Sequence, residues 1–451
     1  MNSYYSEYKN KLVSADEAVK VVKSGDGVAY SHFAMAPQLL DKALAKRKDE
    51  LVNVTVRSTL MLSEAEVAKV NPKYKHFIYN SAFVGATDRS LDGNRCAYLP
   101  SMYSDEPKII REGLAFRSNV VFLMTAPMDK HGFFNFGLSS SYERALCDRA
   151  DSIVVAVNRN VPVCLGGEQE NVHISEVTHV VDLEGEPMPV FDQSVLGTDV
   201  EKNIASYIVE EMEDRCTLQL GIGGLVASIG KMIVDSGLKD LGIHTEMMSD
   251  AFMHMYEKGV VTGEYKNIDK NKIAYTFAMG SKKLYEFLDN NPACAIYPVD
   301  ITNDPQRISM NDKQIAVNNA LMVDLYGQVC SEAINFRQIS GTGGQVDFTY
   351  GAWLSKGGKS FLCLSSTRKL KNGEVISRIV PHMPVGAIVT DPRTIPMFIV
   401  TEYGKVNIRG KSVWDRTEQL ISIAHPDFRD ALIKDAEKQK IWVKSNKINN
   451  V

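Results

Sequence analysis

Thr217-Leu218-Gln219-Leu220 runs directly into Gly221-Ile222-Gly223-Gly224, a short apolar strand meeting a glycine-rich turn. In open α/β sheets ligands bind beyond the carboxyl ends of strands, and a glycine turn that opens a helix presents free backbone NH groups to an anion. A shift of 190 residues lays Gly27-Val28-Ala29-Tyr30-Ser31 over Thr217-Leu218-Gln219-Leu220-Gly221, and Leu51-Val52-Asn53-Val54-Thr55 over Leu241-Gly242-Ile243-His244-Thr245. At a shift of 195, Asp129-Lys130-His131-Gly132 meets Asp324-Leu325-Tyr326-Gly327. The repeat predicts two related α/β halves, 1–192 and 193–451, divided within the Pro- and Gly-bearing stretch 185–197.

Working outward, Val- and Ile-rich runs at 52–56, 120–124, 153–157, 218–220 and 361–364 alternate with longer amphipathic segments, the pattern of βα units around a largely parallel sheet. Val200, Ile204, Tyr207, Ile208 and Met212 recur on one helical face behind a Thr198/Glu201 capping box, which predicts a helix over 200–214. Ser14 and Glu17 repeat that start signal.

The 451 residues exceed a single small module, at roughly 100 to 200 residues per domain. With 51 basic against 55 acidic side chains and a net charge of -4, no basic excess points to nucleic acid. Seven scattered cysteines without a CxxC pair read as thiols rather than a disulfide framework. No apolar run approaches the 18 residues of a membrane span. The expectation is a soluble, cytoplasmic protein.

Familiar motifs fail on spacing. Val226 stands where a dinucleotide fingerprint starting at Gly221 needs its third glycine, and Val346 fails likewise after Gly341. Trp353 occupies the first glycine position of a P-loop ending in Gly358-Lys359-Ser360. There is no HExxH and no GxSxG.

What remains is two glycine clusters, 221–224 and 341–344, and Glu246 just beyond a strand. Bare backbone can approach a ligand closely and donate NH groups to an oxyanion. A carboxylate can act as nucleophile toward an activated acyl group. Taken alone, the glycines read as tight turns and Glu246 as a solvated or capping carboxylate. Asp250 reads as a helix cap or loop residue, His131 as a turn residue, and Arg368-Lys369-Leu370-Lys371 as either a phosphate-binding or a solvated loop.

The chain resembles the acetyl-CoA hydrolase and transferase family over nearly its whole length. The resemblance is carried by Pro127-Met128-Asp129-Lys130-His131-Gly132, Gly221-Ile222-Gly223-Gly224, His244-Thr245-Glu246-Met247, Ser340-Gly341-Thr342-Gly343-Gly344-Gln345-Val346-Asp347-Phe348, Ser377-Arg378-Ile379-Val380-Pro381, Thr401-Glu402-Tyr403-Gly404, and Arg409-Gly410-Lys411-Ser412 followed by Ile421-Ser422-Ile423-Ala424-His425-Pro426. It implies two open α/β domains of the CoA-transferase type, with the active site between them and Glu246 as nucleophile. The implied reaction is ping-pong exchange of CoA between a short acyl-CoA and a small carboxylate such as acetate, butyrate or 4-hydroxybutyrate, through a glutamyl-CoA thioester. By the same resemblance Gly221, Ile222, Gly223, Gly224, Leu225, Leu321 or its neighbour Ala320, Gly343, Gly344, and either Lys369 or Lys371 contact CoA or the oxyanion.

Coenzyme A enters as substrate, no metal or redox cofactor is implied, and the expected assembly is a homodimer or homotetramer. Close relatives usually carry a proline soon after the first glycine cluster, where this chain reads Leu225-Val226-Ala227, which implies a reshaped acyl pocket. Met35, Phe83, Met247 and Met248 are candidates for lining it, or for plain core. The rival readings are an acyl-CoA hydrolase using the same Glu246 and a sugar-phosphate isomerase or sensor of the same superfamily.

Overall fold

The computed structural model describes residues 3–70, 75–91, 95–191 and 197–442. Two sheets organise it. The first contains β1 (Gly27–Tyr30), β2 (Val54–Ser58), β3 (Phe77–Ser81), β4 (Ala97–Tyr98), β5 (Val120–Thr125), β6 (Ser152–Val157) and β7 (His179–Asp182), in the spatial order 4-3-2-1-5-6-7, with all pairs parallel. The second contains β8 (Thr217–Leu220), β9 (Gly242–His244), β10 (Ile273–Tyr275), β11 (Cys294–Ile296), β12 (Gln314–Asn319), β13 (Lys359–Cys363), β14 (Phe398–Thr401) and β15 (Gly404–Asn407). Its order is 11-10-9-8-12-13-14-15, and only the edge strand β15 is antiparallel. The two orders superimpose strand for strand, with β15 added. The fold is α/β, built from two related open, largely parallel sheets.

The repeat is also visible in detail. The Asp129 carboxylate accepts from the NH groups of His131 and Phe133, and the Asp324 carboxylate accepts from those of Tyr326 and Gln328. Gly132 and Gly327 follow with φ of 89° and 86°. The ungapped alignment nevertheless slips at the second strand of each half. Gly27 pairs with Thr55, while Thr217 pairs with Gly242 and not with Thr245.

Strand β2 also begins two residues later than the apolar run suggested, because Asn53 turns the chain through φ 56°. Both capping signals are present: Ser14 Oγ accepts from Glu17 N, and Thr198 and Glu201 bond reciprocally. The helix they open, α1 (Asp199–Val209), stops before 214. The 192/193 boundary falls in 192–196, outside the described residues.

Strands β5 and β8 are buried along their whole length, and β6 except for its first residue. That continuous burial is the physical counterpart of their unalternating Val-, Ile- and Leu-rich sequence, since helices cover both faces of a parallel sheet. One apolar core runs through both halves, from Val28 and Val120 to Leu218, Ile243 and Val317. Among the described residues, no helix is long and apolar enough to cross a membrane. All seven cysteines are free thiols, and all but Cys96 are buried.

Candidate active site

Glu246 stands two residues beyond β9. Its carbonyl accepts from Thr276 N at 3.0 Å, and the next two residues, Met247–Met248, pair with Phe277–Ala278. The backbone is therefore fixed on both sides while the side chain enters a cavity. There the amide Nδ2 of Asn303, at the end of the helix Val299–Thr302, donates to Glu246 Oε2 at 2.7 Å, and the Gly344 NH donates to the same carboxylate. Burial pushes the Glu246 carboxyl up to about 7, against the opposing pull of those two donors.

Gly344 caps the N-terminus of α2 (Gln345–Leu354), so the positive end of that helix also faces the carboxylate. The preceding glycines are packed tightly. A Cβ on Gly341 would press on Ala82 O and Phe83, and Gly343 holds φ 54° while its carbonyl accepts from Tyr103 N at 3.1 Å.

The cavity, of about 60 Å³, collects the carboxyl edges of both sheets. His32 follows β1, Thr59 and Leu60 follow β2, and Ala82 and Phe83 follow β3; Glu246 and Phe277 follow β9 and β10 from the other side. Its lining is mainly apolar but includes polar side chains. Tyr103 Oη lies 3.3 Å from His32 Nε2 and also bonds Ser141 Oγ, while the His32 backbone NH donates to buried Glu143 at 2.9 Å. Burial drives His32 down to about 3, so its imidazole is neutral, and holds Glu143 up at about 7. Phe33, next to His32, carries φ 57°, a conformation costly for a bulky side chain. Glu106 lines the cavity too, ion-paired with Arg57 and bonded to Ser101 Oγ.

Of the sequence-derived candidates, the structure brings together Glu246, Gly343 and Gly344. Gly221, Ile222, Gly223, Gly224, Leu225, Leu321, Lys369 and Lys371 do not line that cavity. They lie along the same sheet edge. Gly221 follows β8, Ala320 and Leu321 follow β12, and Lys369 ends an exposed hairpin (Thr367–Lys369 with Val375–Ser377) beyond β13. The strand order reverses between β8 and β12, where a parallel α/β sheet opens a crevice.

Three strand spacings, about 14 Å, separate β9 from β13. Gly223 holds φ 103° in open space, and the helix α3 after it (Gly224–Ser236) has no side-chain cap. Its first NH groups are left for other partners. Phe83 lines the cavity as anticipated, whereas Met35, Met247 and Met248 are buried core and Leu225 and Val226 are buried in α3. Asp250 is no cap: Ser249 holds that position, and Asp250 accepts from Ser281 N at 2.9 Å. His131 does lie in a turn.

Sequence reasoning missed Asn303, Asp347, Tyr103, His32 and Thr59. Asp347 stood inside the motif beginning at Ser340, and His32 at a strand end. Asn303-Asp304-Pro305 reads only as a helix start, and Asp304 does cap the helix Pro305–Ser309. Among the described residues, no group of three or more His, Cys, Asp or Glu could hold a metal ion.

Residues 1–192 match the acetyl-CoA hydrolase/transferase N-terminal domain, and 280–436 match the C-terminal domain. The chain is 48% identical over 446 residues to a butyryl-CoA:acetate CoA-transferase of Anaerostipes caccae, covering 99% of this chain and 100% of that one. It is 37% identical over 433 residues to a 4-hydroxybutyrate coenzyme A transferase of Clostridium kluyveri, covering 96% and 98%. The crystal structure of RipA from Yersinia pestis superimposes with a TM-score of 0.88 at 33% identity, covering 97% of this chain and 99% of that one. The chain belongs to the acetyl-CoA hydrolase/transferase family.

Proposed function

We propose that this protein, a CoA-transferase, moves CoA between a short-chain acyl-CoA and a small carboxylate of the acetate, butyrate or 4-hydroxybutyrate class, with Glu246 as a covalent relay. The observation that carries the reading is a half-buried carboxylate facing two converging hydrogen-bond donors, Asn303 Nδ2 and the Gly344 NH. The ionised Glu246 attacks the thioester carbonyl; the C–S bond breaks, leaving an acyl-glutamyl anhydride and a CoA thiolate. The thiolate then attacks the glutamyl carbonyl and expels the first carboxylate, forming a glutamyl-CoA thioester, and a second carboxylate reverses both steps. Charge develops on a carbonyl oxygen at each addition, where donors such as Asn303 and Gly344 are worth most. A carboxyl raised to about 7 is more basic than an ordinary glutamate yet substantially ionised at neutral pH.

The cavity size favours a short acyl group, since an apolar cavity of about 150 Å³ already takes a benzene ring. CoA would lie along the second sheet's edge, over Gly221, Ile222, Gly223, Gly224 and Leu225 at the crevice and past Leu321, toward Lys369 or Lys371. Its contacts there are remote from the reacting carbon and supply binding energy for positioning the thioester. We further propose two domains, 1–192 and 193–451, a homo-oligomeric assembly and a cytoplasmic location, the last in keeping with seven unpaired thiols.

The hydrolase reading differs only in using water as acceptor. Phe83 and Phe277 at the cavity favour exclusion of water. Incubating the protein with butyryl-CoA, with and without acetate, and separating the thioesters by chromatography tests this. Acetyl-CoA formed only with acetate supports transfer; free CoA released at the same rate in both would establish hydrolysis instead.

A further inference from the structure

The Asn303 amide bridges two carboxylates. Its Nδ2 donates to Glu246 Oε2 at 2.7 Å and lies 3.4 Å from Asp347 Oδ2. Its Oδ1 is buried and has no hydrogen-bond partner among the described residues. Nothing on the oxygen side therefore fixes which way the amide points, and its orientation is set from the nitrogen side alone. Asp347 is fully buried in the first turn of α2 and is held from the opposite half of the chain: Ser104 donates to it from its backbone NH at 3.2 Å and from Oγ at 2.8 Å.

We propose that Asp347 is a positioning residue for the exchange reaction, acting through Asn303: its carboxylate keeps the Asn303 NH2 turned toward Glu246, and Ser104 makes that orientation depend on the seating of one sheet edge against the other. The inference rests on the Glu246 mechanism above. Asp347 touches neither the cavity nor, on this geometry, the reacting atoms. A carboxylate suits the place because every contact it makes is with a donor, and its charge strengthens what it accepts from Asn303 and Ser104. With an amide at 347 that charge is lost, and in one of its two orientations its NH2 would face the Asn303 NH2. The Asn303 amide would then gain by turning over, which brings its oxygen to the place Nδ2 now holds and so against Glu246 Oε2. Burial raises Asp347 to about 7, with the nearby Glu246 charge adding to the effect, as expected of two carboxylates sharing one amide.

The test is a double-mutant cycle on the full chain with D347N, N303A and the pair, reading kcat, KM for acyl-CoA and thermal stability. The expected result is that D347N lowers kcat about 10- to 100-fold with KM changed less than about twofold, and has no further effect once N303A is present. A D347N effect that multiplies in full with N303A, or a loss confined to KM, would overturn the inference by making Asp347 independent of Asn303. If D347N does not fold, S104A serves: it deletes one hydroxyl contact and should give the same kcat-only signature, again absent in the N303A background. An unchanged kcat in N303A itself would instead sink the donor role of Asn303 in the mechanism, a failure separate from a silent D347N.

Discussion

A side chain at position 344 would meet the carboxylate of Glu246 where it now lies: a Cβ built on Gly344 would overlap Glu246 Oε2 and crowd Asn303 Nδ2, so both side-chain ends would have to move. The glycine thus serves two ends, letting the Glu246 carboxylate approach the backbone and offering it an NH. Gly344→Ala keeps the backbone NH but pushes the carboxylate away from it and from Asn303, and should lower exchange about 100-fold, the usual effect of losing one preorganised donor contact. Steady-state kinetics checks this, with circular dichroism to confirm the fold.

Activity should follow the ionisation of Glu246. On the proposed mechanism the attacking carboxylate must be charged, and burial places it at about 7 rather than the usual 4.5. The rate kcat/KM is expected to climb with pH up to about 7 and level off above it. A profile already flat from pH 5 upward would contradict the burial of this group in the free enzyme.

The same shift predicts a stability signature for Glu246→Gln. Below pH 4.5 the carboxyl is neutral in both folded and unfolded chains, and the substitution should be nearly silent. Between 4.5 and about 7 the folded state holds a proton that the unfolded state releases, so this group's contribution to stability falls as pH rises. Glu246→Gln should consequently gain thermal stability relative to the native protein over that window and keep the advantage at pH 8. Paired melting curves at pH 4.5 and 8 measure it.

How much of this was legible in the sequence depended on whether the signal was local. Apolar runs and capping pairs located β5, β6, β8 and β13 and the start of α1, because strand burial and cap bonds act over a few residues. The doubled topology was legible through Asp129 and Asp324, whose turns are chemically the same. The register slip at Gly242 was not, since pairing is settled between strands rather than within one. Glu246 was found through its motif and strand end. The wall opposite it was missed: His32, Thr59 and Tyr103 meet Glu246 only when the two sheet edges close on each other. Asn303 carries no sequence signal of its own beside the Asp304-Pro305 helix start.

The hairpin lysines separate by kinetics. Both Lys369 and Lys371 are exposed, and only one is expected to meet a phosphate of CoA. Replacing that one by Ala should raise KM for acyl-CoA about tenfold with kcat at saturation unchanged, the mark of lost uniform binding. Replacing its neighbour should change neither parameter. Equal, full-sized effects on kcat from both would place the hairpin elsewhere in the mechanism.

The covalent relay itself is tested most directly by trapping. The protein is incubated with acetyl-CoA without an acceptor, reduced with borohydride, digested and mapped by mass spectrometry. A glutamyl-CoA thioester reduces to an alcohol, so the account predicts one peptide modified at Glu246 and none in Glu246→Gln. An unmodified Glu246 peptide in a preparation that is exchanging CoA would contradict it.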